Sequence, residues 1–177
     1  MRYVGVAAYS GTPPDHLRVA AEEFIRLISA CARGRWDIVV VVGGYWGLMR
    51  HVVDAALLEG LKVVILPPLE MEDVRFPEGA VVVRTGTSFR VRSVFLVRTS
   101  EVLVAMGGAA GTMQEVVTAY TEGVPVVVLR SGLASDRLEG LTPYLDDRKT
   151  SSITYVDTPE ELANQVCRLL GEVGHGG

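Results

Sequence analysis

Val102-Leu-Val-Ala-Met106-Gly-Gly-Ala-Ala-Gly111-Thr-Met-Gln-Glu115 is the stretch that decides the fold. The unbroken apolar run from Val102 to Ala105 reads as a strand buried on both faces. From Met113 the pattern changes: Met113, Val116, Val117 and Tyr120 recur at three- and four-residue steps, as on one side of a helix. Only small residues lie between the two, Gly107 to Ala110 and then Gly111. Missing bulk there lets another group come close to the backbone. The first-turn amides of a helix have no partners within it, and the positive end of its dipole lies among them. A strand, a glycine turn and a helix start therefore make an anion site, most often for phosphate. Its residues here are Gly108, Ala109, Ala110, Gly111 and Thr112, the last adding a hydroxyl. Glu115 falls about one turn in, beside the anion. A carboxylate at that place can act as a general base or as a counter-charge to a cationic transition state. The plainer reading is that glycine turns punctuate every α/β chain and that an acid near a helix start is favourable in itself. On this run alone both readings stand.

Working outward, apolar runs alternate with helical patterns along the whole chain. Strands are expected at Tyr3–Ala8, Ile38–Val42, Lys62–Leu66, Ala80–Val83, Val102–Met106, Pro125–Leu129 and Ile153–Val156. Helices are expected at Pro14–Ala30, Leu48–Glu59, Phe89–Thr99, from the Glu115 segment onward, and after Thr158. Thr158-Pro-Glu-Glu161 carries a capping-box signature, with proline at the first helical place. The alternation predicts a Rossmann-like, doubly wound α/β fold: a mostly parallel sheet of about seven strands with helices on both faces. No linker divides it, so residues 1–173 are expected as one domain and 174–177 as a frayed tail, with no role for His175. Two irregular segments, Pro67–Gly79 and Arg130–Ser152, are expected as surface loops or partner contacts.

Ligands of such sheets bind beyond the carboxyl ends of the strands. Besides the Gly107–Thr112 turn, two small-residue loops fall there. Ser10-Gly11-Thr12 follows the first strand, and Gly43-Gly44-Tyr-Trp-Gly47 follows the second. Three such loops on one edge point to a nucleotide cleft. No GxGxxG follows the first strand and no P-loop lysine follows any of these glycines, which disfavours NAD and ATP hydrolysis. The segment before the fifth strand is rich in arginine, with Arg84, Arg90, Arg92 and Arg98. One or two of these can turn toward the cleft, and the rest are expected in solvent or at an interface.

Composition narrows the classes. The 177 residues are 49% apolar, yet no run is long enough to span a membrane. A net charge of −4 indicates neither a nucleic-acid surface nor a basic membrane patch, so no such partner is expected. The start of the chain lacks a signal-peptide pattern and reads as the first core strand. Cys31 and Cys167 lie far apart on apolar helical faces and are expected as buried thiols in a reducing cytoplasm. His16, His51 and His175 show no metal-ligand spacing, and no cofactor is expected. Lys62 and Lys149 are the only lysines and Asn164 the only asparagine, a bias that fits a thermophile or a GC-rich genome equally.

Together these residues resemble the Lonely Guy family and its relatives, long mislabelled lysine decarboxylase-like, which include molybdenum-cofactor carrier proteins. The family pattern is P-G-G-x-G-T-x-x-E. Gly107 stands at its proline, Gly108 at the first glycine, Ala109 at the second and Ala110 at the variable place, while Gly111, Thr112 and Glu115 match. Arg92 occupies the place of a family arginine, fifteen residues before the proline position. Gly43-Gly-Tyr-Trp-Gly-Leu-Met49 looks like the second family loop, G-G-x-x-G-L-M. The active enzymes usually carry lysine after the arginine, where this chain has Ser93. The resemblance implies a phosphoribohydrolase that cleaves the N-glycosidic bond of a nucleoside 5′-monophosphate such as AMP, with Arg92 and Glu115 as the catalytic pair. The carrier-like branch implies binding without turnover. A pyridoxal-phosphate decarboxylase needs a Schiff-base lysine, and neither lysine stands beside a glycine-rich loop. The resemblance also implies a homodimer or larger, in keeping with apolar residues spread widely around the Phe89–Thr99 and Glu115 helices.

Overall fold

A computed structural model of the chain describes residues 1–172; the expected tail and His175 lie outside them. Seven strands form one sheet: β1 Arg2–Ala8, β2 Ile38–Val42, β3 Lys62–Ile65, β4 Ala80–Val82, β5 Val102–Met106, β6 Val126–Leu129 and β7 Ile153–Val156. Their order is β4-β3-β2-β1-β5-β6-β7, and every neighbouring pair is parallel. The expected mostly parallel sheet is thus parallel throughout, consistent with a Rossmann-like α/β fold. Four α-helices connect strands, α1 Asp15–Ala32, α2 Gly47–Leu58, α3 Phe89–Thr99 and α4 Ala110–Thr121, and α5 Pro159–Glu172 follows the last strand.

Two-residue alternation within each strand feeds a core on either side of the sheet. Val40 and Val42 of β2 and Val104 and Met106 of β5 join α1, α2 and α5 on one face. Val39, Val41, Leu103 and Ala105 join α3 and α4 on the other. Strands buried on both faces need apolar residues at every position, which is why β2, β5 and β6 read as continuous Val- and Leu-rich runs. Phe24 of α1 and Tyr120 of α4 are each fully enclosed. Removing a ring such as Phe24 costs about 3–5 kcal/mol of stability.

The element ends differ from the sequence expectations by a residue or two. Pro14 is the residue before α1 rather than its first turn, and α1 runs two residues past Ala30. The expected loops each contain a short 3-10 stretch, Leu69–Met71 and Ala134–Leu141. At α5, Thr158 Oγ1 accepts the Glu161 amide at 3.2 Å, as a capping box requires. The Glu161 carboxylate, however, accepts the amide of Asp157 at 2.8 Å rather than that of Thr158.

The two cysteines are not free thiols. Cys31 on α1 and Cys167 on α5 form a disulfide across the packed pair of helices, with Cα atoms 6.6 Å apart. The sequence shows two apolar-face cysteines; it does not show that the α1–α5 contact brings them together. Disulfides persist in oxidising compartments and within hyperthermophile cells, so the inference to a reducing cytoplasm loses its footing. No described helix is long and apolar enough to cross a membrane.

The chain winds outward from β1 through β2, β3 and β4, then returns to β5 and winds the other way. The direction reverses between β1 and β5. That switch point, beyond the carboxyl ends of the strands, is where ligands bind in open α/β sheets.

Candidate functional site

The three glycine loops meet at that edge, and specific contacts explain their small residues. Gly47, with φ of +53°, lies directly on the first loop: a Cβ there would be 2.6 Å from the Tyr9 carbonyl oxygen. Next to it, the Leu48 amide donates to that oxygen at 2.8 Å. The first two loops are therefore locked together. Gly107, with φ of +68°, starts the third loop beneath Leu133 and Leu17. Gly108, at φ +148°, leaves space for Thr112, whose Oγ1 would lie 2.0 Å from a Cβ. Both values fall where side chains are rarely tolerated. Ala109 follows at φ −121°, outside the left-handed region, so that position does not call for glycine.

A cleft of about 400 Å³ opens over this edge. Of the residues expected at the site, Ser10, Arg92, Ala110, Gly111, Thr112 and Glu115 line it together. Gly43 and Gly44 lie behind it as seats for larger groups. Gly11 and Gly47 line an adjacent hollow with Arg50 and His51. Gly108 and Ala109 shape the turn. The first-turn amides of Ala110, Gly111 and Thr112 precede the helical bonds of α4, the first being Met113 N–H to the Ala109 carbonyl at 3.0 Å. The Thr112 hydroxyl, expected to add a contact to the anion, donates to the Gly107 carbonyl at 3.3 Å and holds the turn.

Arg92 projects from α3 and Glu115 from α4, and they meet inside the cleft. Arg92 Nη1 donates to Glu115 Oε1 at 3.1 Å, with the side chains 7% and 9% exposed. The guanidinium occupies the space that a side chain at Gly43 would fill. Its Nε is buried without a hydrogen-bond partner. Ser93 also donates to Glu115 Oε1, at 2.9 Å, and stands 3.0 Å from the Phe89 carbonyl. Burial pushes the Glu115 carboxyl above its usual range, while Arg92 and the Ser93 hydroxyl pull it back. Burial also pulls Arg92 down, though a guanidinium stays charged throughout the range in which proteins fold. A buried ion pair is poor stabilisation, since desolvation offsets most of the attraction. A carboxyl shifted by burial and held by one arginine in a cleft is a pattern of functional sites.

The other arginines sort as their number required. Arg90 lines the cleft rim. Arg98 pairs with Glu122 at 2.5 Å, and Arg84 donates to the Glu72 carbonyl at 3.1 Å. The sequence alone does not show the Ser93 bond to Glu115, nor a place for Trp46 and Phe89 in the cleft. The last two form an edge-to-face pair in the cleft, with ring centres 6.4 Å apart. Phe89 opens α3, three residues before Arg92, and that spacing was the available signal. Val91 and Phe95 on α3 and Val117 on α4 remain exposed. No group of three or more His, Cys, Asp or Glu among the described residues could hold a metal.

With this geometry in view, the likeness to known proteins is specific. The model of the SLOG cluster4 family matches residues 2–163. The chain belongs to the SLOG cluster4 family. No curated protein matches it by sequence. Among solved structures, TM1055, a structural-genomics target, is 30% identical over 95% of this chain and 99% of its own, with a TM-score of 0.83. The molybdenum cofactor binding protein of the phototrophic bacterium Rippkaea orientalis is 19% identical over 96% and 97% of the two chains, with a TM-score of 0.77. DNA processing protein A of Helicobacter pylori, described by its single-stranded DNA binding mode, is 16% identical over 94% and 80%, with a TM-score of 0.64. These last two likenesses concern the fold. The last of these corrects one expectation: a net charge of −4 does not exclude nucleic acid, because the same fold occurs in a protein that binds single-stranded DNA.

Proposed function

We propose that this SLOG cluster4 protein binds a nucleoside 5′-monophosphate in the cleft and hydrolyses its N-glycosidic bond. The observation that carries the reading is the buried Arg92–Glu115 pair in the same cleft as the α4 amino terminus. The 5′-phosphate rests on the amides of Ala110, Gly111 and Thr112, where the helix dipole and free N–H groups favour an anion. Arg92 holds phosphate or ribose hydroxyls. As the base departs with the bonding electrons, positive charge develops on the ribose ring at C1′. Glu115 in its ionised form stabilises that charge and orients a water molecule. Water adds to C1′, its proton passes by way of Glu115, and the base leaves protonated. The products are free base and ribose 5-phosphate.

A second reading has its own support. Glu115 Oε1 already takes bonds from both Arg92 and Ser93, which leaves the carboxylate partly engaged. The cleft would then serve binding alone, as the carrier-like relatives imply. Incubation with AMP and with each other nucleoside monophosphate, followed by chromatographic assay of free base, separates the two. Release of base with at least one of them supports hydrolysis. Saturable binding with no base released supports the carrier reading.

A further inference from the structure

The cleft has a flat apolar wall that neither the phosphate site nor the ion pair uses. Trp46 supplies it. A Cβ on Gly44 would lie 2.1 Å from the indole ring, so the ring is seated on that glycine. The preceding residue, Gly43, seats the Arg92 guanidinium in the same way, at 1.7 Å. Two consecutive glycines thus hold an indole and a guanidinium on one short loop. Phe89 abuts the indole edge-to-face at 6.4 Å and 74°, and is itself 43% exposed at the cleft. Phe89, at the first position of α3, belongs to neither core, and its ring packs against the indole.

We propose that Trp46, braced by Phe89, is the platform on which the base of the bound nucleotide stacks, and that it favours purine over pyrimidine monophosphates. This rests on the nucleotide reading above. The glycosidic bond joins the base to the carbon that Glu115 serves, so the base lies beside the ion pair and away from the phosphate. The α4 amino terminus and the Arg92–Glu115 pair are polar. Trp46 and Phe89 are the aromatic surfaces lining the same cleft. A base stacks on an aromatic side chain whatever its identity, but a bicyclic purine covers more of an indole than a single ring does. The G-G-x-x-G-L-M pattern does not demand tryptophan at this place, so the platform belongs to this chain rather than to the loop.

The test is calorimetric binding of AMP, UMP and ribose 5-phosphate, carried out on the Glu115→Gln protein so that ligand is not consumed. With Trp46 present, AMP binds more tightly than UMP. Trp46→Ala weakens AMP by about tenfold or more, within the range for loss of one stacked base, and changes ribose 5-phosphate by less than about twofold. Trp46→Phe keeps most of the AMP affinity. Equal losses for AMP and ribose 5-phosphate would make Trp46 a structural residue and overturn the proposal. So would AMP binding no tighter than ribose 5-phosphate, while the phosphate and ribose site would stand. Failure of both ligands to bind the Trp46-containing protein would remove the nucleotide reading itself, and the platform with it.

Discussion

The Arg92 guanidinium lies where a side chain on Gly43 would be: a Cβ there would stand 1.7 Å from Nη1. A residue of the β2 loop therefore sets the position of an α3 side chain, which in turn holds a carboxylate on α4. The second and third glycine loops are thus coupled through side chains, as the first and second are through backbone.

Gly43→Ala tests this coupling. The atom in the way is the far end of a flexible side chain, so Arg92 moves and the backbone stays. The crowding costs about 1–3 kcal/mol in thermal or denaturant unfolding. Base release falls about 10²-fold or more, because Arg92, which holds the substrate and fixes Glu115, is displaced. A variant with unchanged turnover would show that the position of Arg92 does not matter to the chemistry.

Ser93 has one hydroxyl proton and two acceptors, Glu115 Oε1 at 2.9 Å and the Phe89 carbonyl at 3.0 Å. When it donates to Glu115 it stabilises the ionised form. Burial sets the opposite trend and raises the carboxyl. Activity that needs ionised Glu115 is therefore lost, as pH falls, at a pH above the ordinary carboxylate range near ~4.3. Ser93→Ala removes one stabilising donor, so the acid limb of the kcat/KM profile moves to higher pH. A limb that stays in place would mean that the proton goes to Phe89.

The disulfide makes a separate prediction. Cys31 and Cys167 are 136 residues apart, so the bond closes most of the chain into one loop. The chain-entropy estimate for a loop of that length is about 5 kcal/mol, an upper figure for what reduction removes. Unfolding with and without reductant should show a large fall in midpoint, and the Cys31→Ser, Cys167→Ser protein should match the reduced form. Two titratable thiols in denatured, unreduced protein would refute the bond.

Much of this fold is legible in the sequence because its signals are local. Runs such as Ile38–Val42 and Val102–Met106 are apolar at every position, since the strands are covered on both faces. Glu115 and the small residues before it are legible for the same reason: one strand, one turn and one helix hold them all. Long-range placement is not local. Nothing near Gly43 in the chain tells that it seats Arg92, or that Gly44 seats Trp46. The Cys31–Cys167 bond depends on how α1 packs against α5. Thr112 looks like a ligand donor in sequence, yet the Gly107 carbonyl takes its proton. Ser93 reads as the loss of a lysine, whereas in space it is a second donor to Glu115.

If Glu115 acts on the glycosidic bond rather than shaping the cleft, its charge matters more than its size. Glu115→Gln keeps the size of the side chain and removes its charge. The most direct measurement compares the two proteins for AMP affinity and for equimolar release of adenine and ribose 5-phosphate. The glutamine protein is expected to bind AMP within about tenfold of the parent, or roughly 1.4 kcal/mol, and to release no adenine. Equal rates of adenine release from both proteins would contradict that role for Glu115.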